Sequence, residues 1–389
     1  MKNKVTKILS YVLVALLSCA ITMTVMLPMM KAPGTGAYAD KLDQLQSVIN
    51  QYFIGDVDHD TMMDAAAGAM VDSLGDRWSH YLTKDQYASY VEQMTNSYVG
   101  VGITVQLHEE GGMTVTKVTA GGPAEEAGIL AGDRLVAADG NDLKSLTLDE
   151  ASGLIKGDEG TRVELTVERE GQTLTVSVER RTIKTEVATA TMLDGNIGLV
   201  RIVNFDERCA EEAITAIESL ISQGARKLIF DVRFNPGGYA KELVKLLDHL
   251  LPEGDLFRTE DYAGNENVDR SDASCLEMPM AVLVNGDSYS AAEFFAAALR
   301  DYDWATVVGT QTCGKGYFQS TFRLGDGSAV TISLGKYFTP KGVSLAEVGG
   351  LTPDVVVEVD TETAAAIYAG TIDPMADPQI LAAIAALAD

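Results

Sequence analysis

The chain has 389 residues, 46% of them hydrophobic and 22% charged, enough for two or three domains with full cores. A net charge of −26 sets nucleic acid aside as a partner, because an acidic surface repels phosphate. Neither a zinc site nor a disulfide framework is expected. Cys19, Cys209, Cys275 and Cys313 show no C-x-x-C spacing, and His59, His80, His108 and His249 form no H-E-x-x-H.

At the N-terminus, Lys2, Lys4 and Lys7 precede an uncharged run from Ile8 to Met30. Such a run is long enough to span a bilayer, and the lysines before it favour a cytoplasmic N-terminus. Two other readings stay open: cleavage after Ala37-Tyr38-Ala39, and lipidation at Cys19 within Leu16-Leu17-Ser18-Cys19. All three place the remainder outside the cytoplasmic membrane. The expected organisation is a signal anchor and linker over residues 1–39, with the linker running from Lys31 to Asp40. A helical segment over 40–95, a β-rich module over 96–180 and an α/β core over 181–389 follow.

In the helical segment, Leu42, Leu45, Val48, Ile49 and Phe53 recur at helical spacing. Met62 to Leu74 carries a second apolar face, and Asp85 to Met94 is a third candidate helix. From residue 96 the pattern changes to short β-type runs at Val99–Leu107, Met113–Val118 and Asp133–Ala138. Pro123 to Ala127 reads as a short helix. Thr147-Leu148-Asp149-Glu150 is a capping box that opens a helix to Ile155. Arg162–Glu168 and Leu174–Glu179 pair as a hairpin through Glu170-Gly171.

Beyond residue 181, strands and helices alternate. Strands are predicted at Ile197–Val203, Lys227–Val232, Met280–Val284 and Ala305–Val308, and helices at Glu211–Gln223, Ala240–Leu250 and Ala291–Leu299. This alternation argues for a largely parallel sheet. Ala329–Leu334 and Asp354–Val359 look like added strands. Asp377-Pro378 caps a final helix over Gln379–Leu387. The predicted fold class is α/β multidomain: a mixed, largely parallel sheet core with an inserted β-rich module and an N-terminal helical segment.

One motif invites a wrong turn. Gly309-Thr310-Gln311-Thr312-Cys313-Gly314-Lys315-Gly316 nearly matches the phosphate loop G-x-x-x-x-G-K-[ST]. Gly316 stands where the Mg²⁺-binding hydroxyl belongs, and Tyr317 to Phe322 alternates like a strand. An anion cradle needs a helix N-terminus there, so no nucleotide cofactor is expected.

Ser290 and Lys315 carry more information. Ser290 sits where an apolar strand gives way to an Ala-rich helix, a corner that exposes its hydroxyl and sets its own backbone N–H at a helix start, where that N–H can stabilise an oxyanion. Lys315 lies between two glycines, where backbone can approach other chain closely. A serine nucleophile with a lysine base needs no histidine, provided burial holds the amine neutral. Asp301 and Gln319 are the two candidates to orient that amine. Asp231 to Gly238 ends a strand in a glycine pair, read either as a plain turn or as a donor of Gly237 or Gly238 N–H to an oxyanion. Tyr98-Val99-Gly100-Val101-Gly102 is either a flexible hairpin or a loop that receives a terminal carboxylate while the peptide pairs with the next strand.

These residues together resemble the C-terminal processing (tail-specific) serine peptidases, from about residue 41 to the end. Ser288-Tyr289-Ser290-Ala291-Ala292-Glu293, Thr312-Cys313-Gly314-Lys315-Gly316-Tyr317-Phe318-Gln319 and Asp231 to Gly238 carry the likeness. Lys336-Tyr337-Phe338-Thr339-Pro340 and Thr352-Pro353-Asp354 add to it. The resemblance implies Ser290 as nucleophile, Lys315 as base, Gln319 as its support, and an oxyanion hole from Gly237, Gly238 and Ala291. It implies a PDZ domain over 96–180 that takes C-terminal tails of protein substrates through Tyr98 to Gly102. A membrane attachment through residues 8–30 and a homodimer are further expectations; no metal or cofactor is expected. Tyr289, Ala292 and Cys313 depart from the family pattern, and the segment after Pro340 is shortened. The competing reading is a non-catalytic PDZ scaffold on a decayed hydrolase core.

Overall fold

The computed structural model describes residues 35–388. The apolar run 8–30 and Cys19 lie outside the described residues. Among the described residues no helix is long and apolar enough to cross a membrane.

The chain divides into two compact units after Ala69. The first holds the helix Thr35–Tyr52 and most of the helix His59–Asp72. The last six residues of the expected linker, Thr35 to Asp40, are helical instead: Gly36 is the one strong helix-weakener among them, and a single glycine costs only about 1 kcal/mol. Asp58 caps the second helix by accepting from the Asp60 and Thr61 N–H groups. Leu42, Leu45, Val48 and Tyr52 are exposed.

In the second unit, the short strand His80–Leu82 leads into the helix Lys84–Thr95, opened by a Thr83/Gln86 capping box. A β-rich module follows on a two-stranded stem, in which Ser97–Gly100 pairs antiparallel with Arg181–Lys184. Its sheet runs in the order Ile103–Leu107, Met113–Val118, Arg134–Ala138, Arg162–Arg169, Gln172–Glu179, with Asn141–Asp142 beside the third. The predicted hairpin is present. Glu170 and Gly171 both take positive φ (50° and 77°), the two-residue turn whose twist matches the strands. Alternate residues such as Val163, Leu165 and Val167 point into one apolar cluster with Ala151 and Ile155 of the helix Leu148–Ile155.

The α/β core is a six-stranded sheet in the order Ala188–Leu193, Ile197–Ile202, Lys227–Asp231, Met280–Val284, Ala305–Gly309, Val355–Val356. The first pair is antiparallel and the other four are parallel. Met280–Val284 is buried at every residue, as a parallel strand covered on both faces must be. Leu228, Phe230, Val282 and Val284 face the helices Cys209–Ser222, Ala240–Leu250 and Ala291–Asp301. Ile229, Ala281 and Leu283 face the C-terminal helix Pro378–Ala386. A second, antiparallel sheet runs His80–Leu82, Ala329–Phe338, Gly254–Asp261, Glu266–Ser271, with Tyr317–Arg323 also paired to Ala329–Phe338. That last strand begins two residues after Lys315, so no helix N-terminus follows the glycine-lysine loop, as its alternating sequence predicted.

Candidate active site

Ser290 is the N-cap of the helix Ala291–Asp301, at the carboxyl end of the central strand Met280–Val284. Crevices at carboxyl ends of parallel strands are where α/β folds place ligands. Its φ and ψ of 57° and −127° lie outside the regions a side chain ordinarily allows. Such a residue costs on the order of 1–3 kcal/mol and persists only where its surroundings over-determine it. Here they do. Asn285 Oδ1 accepts from Phe234 N at 2.9 Å, Ser288 Oγ donates to Val232 O at 2.7 Å, and Tyr289 N donates to Asn235 O at 3.1 Å. The serine loop is thus fastened to the loop that follows Asp231.

That second loop approaches Ser290 closely. A Cβ on Gly237 would lie 2.7 Å from Ser290 Cβ and 2.8 Å from Ala291 N, and its φ is +86°. Only glycine fits without displacing the corner. Gly237→Ala is expected to lower the unfolding free energy by about 2–4 kcal/mol, read from a denaturant titration. Gly238 is equally confined, since a Cβ there would collide with Phe205 O. The Gly237 N–H is engaged, donating to Asn235 Oδ1 at 2.8 Å. The Ala291 and Gly238 N–H groups find no acceptor among the described residues.

Lys315 enters from the loop after Ala305–Gly309. Gly314 and Gly316 pack against Gly350 and Ala346, leaving no room for a Cβ at either position. The ammonium group stands 4.8 Å from the centroid of the Trp78 ring and 5.6 Å from that of Tyr289. Two effects oppose each other here. Ring faces attract the ammonium form by about 0.5–2 kcal/mol, worth roughly one pH unit at about 1.4 kcal/mol per unit. Burial disfavours that form by up to several units. Burial wins: it holds the amine below the ordinary lysine value although Cys313, Glu293 and Asp76 favour the charge.

No hydrogen bond joins Lys315 Nζ to Ser290 Oγ among the described residues. What joins the two positions is Glu293. Its carboxylate accepts from Ser290 N at 3.0 Å and Lys315 N at 2.8 Å, and also from Gly314 N and the Thr312 hydroxyl. Glu293 is fully buried, and burial raises its carboxyl above the usual range in spite of four donors. Cys313 N further donates to Ser288 O at 3.2 Å. Glu293, Asn285, Asn235, Thr312 and Trp78 are the residues the sequence reading did not assign. Glu293 alone left a signal, the Ser-x-x-Glu spacing at a helix start.

The other candidates fall elsewhere. Gln319 Nε2 donates to Tyr317 O at 3.0 Å and to Ser333 Oγ at 3.1 Å, and no bond reaches Lys315. Asp301 is not brought to the site. It ends the helix that Ser290 begins, about 16 Å along the axis at about 1.5 Å per residue, and its carboxylate accepts from Lys341 N. Of the carboxylate-loop candidates, Tyr98, Val99 and Gly100 are paired in the stem. The turn itself falls at Val101 and Gly102, directly before Ile103–Leu107, the terminal strand of its sheet.

Comparison with known proteins follows the same division. Residues 196–357 match the family model for peptidase family S41 and residues 114–169 match that for a PDZ domain. The chain is 32% identical over 333 residues to the carboxy-terminal processing protease CtpA of Bacillus subtilis (strain 168), covering 85% of this chain and 71% of that one. It is 32% identical over 326 residues to a probable CtpA-like serine protease of Staphylococcus aureus (strain N315), covering 83% and 65%. The chain therefore spans about two thirds of the length of these relatives. Among solved structures, a photosystem II D1 C-terminal processing protease is 27% identical, covers 87% of this chain and 92% of that chain, and has a TM-score of 0.48.

Proposed function

Because the chain belongs to peptidase family S41 and is a serine-type peptidase carrying a PDZ domain, we propose that Ser290 and Lys315 form its catalytic pair and that the PDZ domain captures the free C-terminus of a protein substrate. The observation that carries this reading is the single buried Glu293 carboxylate bonded to the backbone N–H of both residues. Two loops held by one acceptor keep a fixed separation between the hydroxyl and the root of the amine.

In the cycle, Ser290 Oγ attacks the scissile carbonyl carbon and neutral Lys315 Nζ takes its proton. The oxyanion falls to the Ala291 N–H, with Gly237 or Gly238 as second donor. The proton passes from Nζ to the leaving amine, and water then hydrolyses the acyl-serine by the same route in reverse. Two groups must move from where they now stand: Nζ off the Trp78 and Tyr289 faces, and the Gly237 N–H off Asn235 if that group is the donor. Gln319 supports the amine once it has turned towards Ser290. Tail capture uses the Val101–Gly102 turn for the carboxylate and the open edge of Ile103–Leu107 for the peptide backbone.

The lysines before the apolar run 8–30 support a membrane-anchored or processed protein with its catalytic part outside the cytoplasm. The exposed face of Leu42, Leu45, Val48 and Tyr52 supports a homodimer. The test is covalent labelling by a fluorophosphonate. Labelling is expected in the wild type and absent in Ser290→Ala; equal labelling of both would remove Ser290 from the mechanism. Amidating the substrate's C-terminus should raise KM by about tenfold, the loss of one charge-assisted contact set. An unchanged KM would dismiss tail capture.

A further inference from the structure

Four consecutive residues outside both matched segments, Asp76 to Ser79, close around the lysine arm. The Trp78 ring lies under Lys315 Nζ and its centroid is 6.3 Å from that of Tyr289. The Arg77 guanidinium carbon stands 4.2 Å from the same Trp78 ring, and Arg77 Nη2 reaches Cys313 O at 3.5 Å. Asp76 Oδ2 accepts from Ser79 Oγ at 2.6 Å, Ser79 Oγ accepts from Ser333 N at 3.0 Å, and Ser333 Oγ accepts from Gln319 Nε2 at 3.1 Å. The segment is fixed at its far end, because His80–Leu82 pairs with Ala329–Thr331. That partner strand also carries Tyr317–Arg323.

We infer that Asp76–Ser79 is the positioning element of the catalytic lysine, with Trp78 walling its amine off from water and the Asp76–Ser79–Ser333 chain setting the place of Gln319. The inference rests on the reading of Lys315 as the base. The charged and titratable groups facing the amine are Cys313 from its own loop, Glu293 from the helix Ala291–Asp301 and Asp76 from the segment itself. The Tyr289 phenol comes from the serine loop, and Arg77 shares the Trp78 ring. Glu293, Asp76 and ionised Cys313 all favour an ammonium. Only exclusion of water opposes them, and Trp78 is one of the two rings in contact. Removing it admits water and returns the amine towards its ordinary, charged state.

The experiment is the pH dependence of kcat/KM for the full-length chain on an unstructured fluorogenic peptide with a free apolar C-terminus. Trp78→Ala is expected to move the acid limb up by about one pH unit or more and to cut turnover at neutral pH about tenfold, since less of the lysine is then neutral. Trp78→Phe, which keeps a ring against the amine, should retain the wild-type limb. Should the alanine variant not fold, Trp78→Gln keeps bulk while presenting a polar amide and carries the same expectation as alanine. An acid limb that stays put or moves down in Trp78→Ala or Trp78→Gln overturns the inference, as does an equal shift in Trp78→Phe. Lys315→Ala separates the two failures. Retained turnover there defeats the base assignment, whereas lost turnover with unmoved Trp78 profiles defeats only the role of this segment.

Discussion

Ser290→Ala and Lys315→Ala are each expected to lower kcat/KM by about four to six orders of magnitude on an unstructured peptide, with thermal unfolding little changed. The two side chains act as one unit, because a hydroxyl without an acceptor for its proton is a poor nucleophile. The double variant should therefore be no worse than either single one. Lys315→Arg should be as inactive as Lys315→Ala, since a guanidinium cannot become a neutral base in this range. The unmodified enzyme should lose activity as pH falls, because the amine must be deprotonated to accept the serine proton. Burial already holds it below the usual lysine value, so the acid limb should lie below the ordinary lysine range. Progress curves at several pH values would measure this. Turnover within tenfold of wild type in Ser290→Ala or Lys315→Ala would exclude that residue from the chemistry.

Glu293→Ala should damage both the fold and the reaction. Four donors converge on this carboxylate from two loops: Ser290 N from one, and the Thr312 hydroxyl, Gly314 N and Lys315 N from the other. Each buried donor left unpaired costs about 1–3 kcal/mol, and the losses do not simply add; a fall of about 4 kcal/mol in unfolding free energy is expected. The strained conformation of Ser290 would lose one of the contacts that hold it, and the lysine loop would part from the serine loop. Glu293→Gln separates charge from shape. It keeps the volume but replaces one acceptor oxygen with an N–H donor, which would face other donors. It should be milder in stability than alanine yet still lose at least about a hundredfold in kcat, because misplacement of a catalytic group by about 1 Å costs that much. A Glu293→Gln variant with wild-type kcat would show that the shared carboxylate has no part in alignment.

How much of this was legible in the sequence depended on how local the determining physics was. The apolar run Met280–Val284, the Ala-rich helix after Ser290 and the Glu170-Gly171 hairpin follow from residue pattern and turn chemistry. Each appears at or near its predicted bounds. The strands Gly254–Asp261 and Glu266–Ser271 were not predicted. The second reads Glu-Asn-Val-Asp-Arg-Ser, with almost nothing apolar, because it is an edge strand held by main-chain pairing with its neighbour. Asp301 failed as a candidate for a simple reason: eleven residues on an unbroken helix separate two side chains instead of uniting them.

By itself the sequence determined which residue types the chemistry would use and at what corners of the chain they sit. A hydroxyl at a strand-to-helix junction and a lysine between glycines are local facts, set by propensity, capping and the space that a missing Cβ leaves. Only the tertiary structure decided that Glu293 would hold both loops and that Trp78 and Tyr289 would surround the amine. Only it placed Gln319 against Ser333. These are contacts between segments from 14 to more than 200 residues apart, and their partners are fixed by how two sheets and their connecting loops pack. No spacing along the chain records a desolvation or a shared acceptor, because both arise only when distant groups are brought out of water together.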